Sequence, residues 1–344
     1  MRVSTILKSG LRAGAGAMLA LALVIAGPVK AQEQSYILTT ATTGGTYYPV
    51  GVALATLVKV KLEPATGIAM SAISSAGSGE NVKLLREQQA QFAILQGLYG
   101  AWAWNGEGQV EPEGPQKHLR SVTMLWQNVE HFVIDSEYAE TGLIEDLTNL
   151  QGRPFSIGRR NSGTEGSGRQ ILNGLGIDPD ATFDLVYLGY GPSAEALQNG
   201  TIDGMNIPAG VPVSAVDQAF AAVGDQITIL GFNEDQIRRA NGKYEDLWTS
   251  YTIPANTYSG QTEDVHTIAQ PNFLAVHENV PEESVYQIVK TIYENLPFLN
   301  NIHQATRAMA LEKAIAGLPV PLHPGAARYF EEQGLTIPDR LRVQ

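Results

Sequence analysis

The chain contains no cysteine. Disulfides, thiolate metal sites, cysteine nucleophiles and lipid attachment through an amino-terminal cysteine are excluded, so stability has to come from packing. Positive charge is scarce as well: 23 Lys and Arg stand against 35 Asp and Glu, a formal net charge of −12. No basic cluster is large enough to displace counterions from a phosphate backbone, which removes nucleic acid from the partners and leaves acidity as a source of solubility. Catalytic signatures are missing too. There is no G-x-S-x-G elbow, no G-x-x-x-x-G-K-S/T phosphate loop and no H-E-x-x-H pair, since His277-Glu278 is followed by Pro281 where a second histidine would stand. The six histidines (118, 131, 266, 277, 303 and 323) lie far apart with no carboxylate at ligand spacing, and they read as isolated surface or packing residues. The expectation is a protein with no catalytic residue, no metal and no cofactor.

What is present begins with a leader. Arg2, Lys8 and Arg12 precede the small apolar run from Ala13 to Gly27, and Val29-Lys30-Ala31 has the form of a small-x-small cleavage site. The run is too short to span a bilayer and is broken by Pro28, so residues 1–31 are expected to be a cleaved secretory signal. Its removal leaves 19 basic and 35 acidic residues, a net −16. No later stretch is apolar enough to cross a membrane, which predicts a soluble mature protein outside the cytoplasm.

From Ser35 onward short β runs alternate with helical ones. Strands are expected at 35–40, 68–73 and 91–96, with helices at 48–62 and 80–88 between them, the rhythm of a parallel sheet. The Gly/Pro/Glu segment 105–115 reads as a surface loop. A long β run over 121–134 is expected to pass from one lobe to the next, and the rhythm then restarts with a strand at 154–158, a helix at 164–175 and a strand at 183–188. The segment 231–260 reads as irregular, 265–276 as a second crossing strand despite Pro271, and 281–296, 301–316 and 326–333 as helical. Leaving a lobe once and returning once builds two lobes around a cleft. The expected division is 32–125 with 265–344 as lobe I and 126–264 as lobe II.

Three turns carry the chemistry. In open parallel sheets ligands sit beyond the carboxyl ends of strands, where helix starts present backbone N–H groups to anions. Thr42-Thr43-Gly44-Gly45-Thr46-Tyr47-Tyr48 supplies hydroxyls, close backbone approach and aromatic walls, to which Tyr187 can add. Ser74-Ser75-Ala76-Gly77-Ser78 opens the next helix, and Arg159-Arg160-Asn161-Ser162-Gly163-Thr164 brings guanidinium groups whose planar fork suits a carboxylate. The same residues can equally be helix caps, packing tyrosines and solvated arginines.

The order of these motifs resembles a known family. The run T-T-G-G-T-Y-Y-P-V-G from Thr42, G-S-G-E-N at 77–81, Gln96, S-G-T-E at 162–165, LQNGTID at 197–203, PANTYSGQTEDV at 254–265 and LPVPLHPGAARYF at 318–330 together resemble the TAXI family, the solute-binding proteins of TRAP transporters. The resemblance implies an α/β fold of the type II periplasmic binding protein kind, two lobes around a ligand cleft, a periplasmic monomer, and delivery of a small organic anion to TRAP membrane permease subunits. Glutamate, glutamine or a C4–C5 2-oxo or 2-hydroxy dicarboxylate are the implied solutes. Thr43, Gly45, Thr46 and Tyr47 match the first binding turn, Ser75, Gly77 and Ser78 the second, and Ser162, Gly163 and Thr164 the third, with Gln96 facing the cleft. Where the family often has G-A-P-G this chain has Gly158-Arg159-Arg160-Asn161, and the departure adds Arg159 and Asn161 to the expected anion contacts. A sensor docking on a membrane receptor and a secreted enzyme on the same scaffold are the alternatives.

Overall fold

The computed structural model describes residues 33–343, and the expected leader lies outside them. The amino-terminal lobe is built by strand–helix alternation. Strand β1 (Gln34–Thr39) leads into helix α1 (Tyr47–Thr66), which buries Val50, Leu54, Val58 and Leu62 at helical spacing and stops at Gly67, whose left-handed φ of 75° lets its N–H reach the Glu63 carbonyl. Strand β2 (Ile68–Ile73), helix α2 (Ser78–Arg86), strand β3 (Phe92–Gln96) and helix α3 (Gly97–Asn105) follow. β3 is buried at all five positions, as a strand with both faces covered requires. The 105–115 segment, expected to be a loop, contains a short 3-10 helix over Gly108–Glu113.

The long β run divides. β4 (Leu119–Val129) belongs to the first sheet and β5 (Phe132–Asp135) to the second, so the chain changes sheets at Glu130 and His131. The second lobe continues with β6 (Pro154–Ser156), α4 (Gly163–Gly174), α5 (Pro179–Thr182), β7 (Asp184–Val186), α6 (Tyr190–Gln198), β8 (Gly204–Asn206), α7 (Ser214–Val223) and β9 (Ile227–Ile229). Its sheet order is β7-β6-β8-β5-β9, with β6 parallel to β7 and β8, and β5 antiparallel to β8 and β9.

The stretch expected to be irregular holds regular structure. α8 (Glu234–Asn241) starts in a capping box between Asn233 and Gln236, and β10 (Thr249–Ile253) pairs antiparallel with β11 (Val265–His277) in the first sheet. β11 is the long strand of that sheet: it pairs with β4 on one side and with β3 and β10 on the other, and its register against β4 shifts around Pro271. The sheet is completed by β1 between β3 and β2, all three parallel. Helices α9 (Glu282–Glu294), α10 (Leu296–Ile302) and α11 (Pro324–Glu332) return to the amino-terminal lobe, where α1 and α9 pack together and α11 packs on α9. Between α10 and α11 the expected helix 301–316 is replaced by 3-10 turns over Gln304–Ala308 and Leu311–Lys313. The result is two α/β lobes. Among the described residues no helix is long and apolar enough to cross a membrane.

Candidate functional site

Helix starts from both lobes converge on one cleft cavity. Its wall includes Thr46 and Tyr47 at the start of α1, Gly77 and Ser78 at α2, Gln96 just before α3, Gly163 and Thr164 at α4, and Tyr190 at α6. Ala41, Thr42 and Gly45 close one side and Pro208 and Ala209 the other, around about 360 Å³ of empty space that is partly open to solvent. Four of the five helices lack a side-chain cap, the exception being α4, where Ser162 Oγ accepts from the Glu165 N–H. An uncapped first turn leaves backbone N–H donors for other partners, each carrying part of the helix's positive end; in α2 the Glu80 N–H is taken by the Asn161 carbonyl and in α3 the Leu98 N–H by Gln270 Oε1. Among the described residues no charged side chain lines the cavity.

The polar atoms of the wall are held from behind. Ser78 Oγ accepts from the Gln96 N–H at 3.1 Å, and Tyr47 donates to Asn272 Oδ1 at 2.5 Å. Tyr190 donates to the Pro208 carbonyl at 2.6 Å, so the Thr164 hydroxyl, 2.9 Å away, is the donor to Tyr190 Oη. Burial raises the pKa of both tyrosines far above the phenol value, and they stay neutral donors. Two buried polar atoms in the wall, Thr42 Oγ1 and Gln96 Oε1, have no partner.

The lobes are closed on each other at this cleft. Thr46 donates across it to the Gly210 carbonyl at 2.9 Å, the Glu80 N–H to the Asn161 carbonyl at 3.0 Å, and Tyr99 to the Ser162 carbonyl at 2.9 Å. Glycine is needed where the surfaces meet: a Cβ on Gly163 would stand 2.8 Å from the Gln96 amide, and one on Gly45 would stand 2.9 Å from the Tyr190 ring.

Of the residues singled out from sequence, Gly45, Thr46, Tyr47, Gly77, Ser78, Gln96, Gly163 and Thr164 line the cavity. The others sit elsewhere. Thr43 is exposed, and Ser75 is committed to its turn, accepting from the Gly77 N–H at 3.0 Å beside Asn81. Ser162 caps α4 from outside the wall. Arg159, Arg160 and Asn161 are exposed and face an outer groove with Lys83 and Arg86. Arg160 lies over the Tyr187 ring at 3.7 Å, while Tyr187 Oη accepts from Arg169 at 3.1 Å, so both are engaged away from the cavity. Sequence reasoning placed Thr42 in the first turn without choosing it as a contact, and missed Tyr190, Pro208 and Ala209. Tyr190 had a signal, because it starts a helix straight after Gly189; nothing local marked the Pro208 loop.

The histidines are not all isolated. His118 and His277 stack at 4.8 Å, and burial with mutual repulsion lowers the pKa of His118. Among the described residues no group of three or more His, Asp or Glu could hold a metal ion.

Two lobes with a cleft lined by helix starts from each define the periplasmic-binding-protein fold, and solved structures agree. The chain is similar to MatC from Rhodopseudomonas palustris with bound malate (13% identity, TM-score 0.51, 87% of this chain and 96% of that one). It is similar also to the periplasmic binding protein BugD (12%, 0.52, 88% and 94%) and to a binding protein component of an ABC phosphonate transporter from Pseudomonas aeruginosa (9%, 0.50, 79% and 78%). Residues 38–334 match the model of the NMT1-like family. The chain belongs to that family.

Proposed function

We propose that this is a periplasmic solute-binding protein of the TAXI type, which captures a small organic anion by lobe closure and presents it to the membrane subunits of a TRAP-type transporter. The observation that carries the reading is the meeting of five helix starts, four without side-chain caps, around one cavity with no charged side chain. Such a wall supplies positive potential and N–H donors without a cation, and a carboxylate is the group it complements. Malate bound to MatC, a protein of the same fold, is consistent with that choice. Thr42 Oγ1 and Gln96 Oε1, unpaired in the wall, add places for a hydroxyl or amino group on the solute.

Contacts from both lobes make the closed form the tighter binder, and that difference in affinity is what shifts the population toward closure. Gly45, Thr46, Tyr47, Gly77, Ser78, Gln96, Gly163 and Thr164 are the proposed contacts, joined by Thr42 and Tyr190. The solute leaves chemically unchanged.

Mass analysis of the acid that co-purifies, followed by calorimetric titration with malate, 2-oxoglutarate and glutamate, tests the reading. Micromolar or tighter binding of one of them, recovered intact, is expected. Turnover of the bound acid, or a preference for a cationic or purely apolar solute, would overturn it.

A further inference from the structure

Behind the cleft a carboxyl group is shut inside the protein. Glu130 occupies the two-residue link between β4 and β5, where the chain changes sheets, and it is completely buried with no hydrogen-bond partner for either carboxyl oxygen. The neighbours able to hydrogen-bond it come from both lobes. Gln270 on β11 and Trp248 just before β10 belong to the first sheet, while Asn206 on β8 and Ser167 on α4 belong to the second lobe.

All four are buried to 1% exposure or less. The indole N–H of Trp248, the amide nitrogen of Gln270 and both amide atoms of Asn206 are also without a partner. Their orientations are fixed from outside the chamber. Gln270 Oε1 accepts from the Leu98 N–H at 2.9 Å, which leaves its NH2 for Glu130, and Asn241 grips both backbone groups of Trp248 at 2.8 and 2.7 Å.

Among the described residues no cation offsets the carboxylate. Titratable groups whose field reaches it include the neutral Tyr47 of α1 and Tyr190 of α6. His131, next in the chain, is turned away: its Nδ1 lies 2.9 and 3.0 Å from the Val129 and Ile207 carbonyls and its Nε2 2.8 Å from Tyr258 Oη, and burial lowers its pKa to about 4.

We propose that the chamber is a proton-binding site at the lobe junction, in which Glu130 carries a proton in the closed protein and releases it when the lobes part and water enters. A protonated carboxyl donates to the unpaired Asn206 Oδ1 and accepts from the indole and amide donors. An ionised one keeps only the acceptor role while paying for desolvation, and burial accordingly raises its pKa to about 7. The proton is then a second ligand of the closed form. Between the ordinary carboxyl value of 4.5 and about 7 the ratio of closed to open protein should fall by up to tenfold per pH unit, levelling off above neutrality.

The inference rests on the opening and closing in the function proposed above, and two measurements on the mature protein keep them apart. Infrared spectra recorded between about pH 5 and about pH 9 follow protonated carboxyls. One band that survives to neutral pH and is lost in Glu130→Gln is expected. If every carboxyl of the wild type titrates in the surface range the site is refuted, whether or not the variant folds. X-ray scattering over the same range, without solute, should show expansion on the rise from about pH 5 to about pH 7 and little further change above it, and a profile unchanged while the buried band titrates would refute the coupling. Closure by malate, 2-oxoglutarate or glutamate with no buried carboxyl would sink only the proton site. A pH-driven change with no response to any acid would sink only the solute reading.

Discussion

Gly79 stands in the first turn of α2 at the mouth of the cleft, and a Cβ added there would lie 2.4 Å from the Asn161 carbonyl oxygen of the opposite lobe. Ordinary van der Waals contact starts at 3.4 Å, so Gly79→Ala has to push the two backbones about 1 Å apart. The displacement takes with it the 3.0 Å bond from the Glu80 N–H to that same oxygen and strains the 2.9 Å bond from Tyr99 to the Ser162 carbonyl. At about 1 kcal/mol each, the closed form loses about 2 kcal/mol relative to the open one, on the order of a thirtyfold drop in solute affinity. The lobe itself should not suffer, because Ala in place of Gly inside a helix contributes up to about 1 kcal/mol in its favour. Calorimetric titration reads the affinity and a thermal melt without solute reads the fold. Wild-type affinity together with an unchanged or raised Tm would refute closure at this contact.

Arg159→Ala and Arg160→Ala should each change solute affinity by less than about threefold, since both side chains are exposed outside the cavity; a loss of tenfold or more in titration would return an arginine to the site. Thr46→Val removes the 2.9 Å bond to the Gly210 carbonyl and should weaken binding about fivefold, with unaltered affinity as the contrary result. Glu130→Gln bears on stability as well. The folded pKa is raised from 4.5 to about 7, so the wild type holds more protons folded than unfolded between those values and loses up to about 3 kcal/mol as pH rises through them. Urea unfolding of the variant should lack that slope, and identical slopes in both proteins would count against it. Ser162→Ala strips the cap of α4 and should cost about 1 kcal/mol in the same assay, where no change would mean that the cap is replaced.

The strand–turn–helix alternation of both lobes was legible from residue pattern, because period and cap chemistry are local. The β10 strand was not, since its five residues (TSYTI) are mostly exposed and are held by pairing with β11. The division of 121–134 into two strands was hidden for a related reason. Uninterrupted β propensity says nothing about which sheet each half joins, and the acid at the break reads as an ordinary polar residue until both lobes enclose it.

The candidate site divides in the same way. A helix start with glycine and hydroxyls is a local pattern, and it located Gly45, Thr46, Gly77, Ser78, Gly163 and Thr164 at the cleft. Whether a side chain beside such a start points into the cleft depends on the path of the turn: Asn161, at a left-handed φ of 62°, belongs to a turn in which Arg159 and Arg160 stay exposed, while Pro208 enters from a loop that no motif marked. Composition and periodicity settle the class of elements and where helices begin. Lobe packing alone decides which of those beginnings face one another, because that rests on contacts between residues far apart in the chain, such as Thr46 and Gly210, separated by 164 positions.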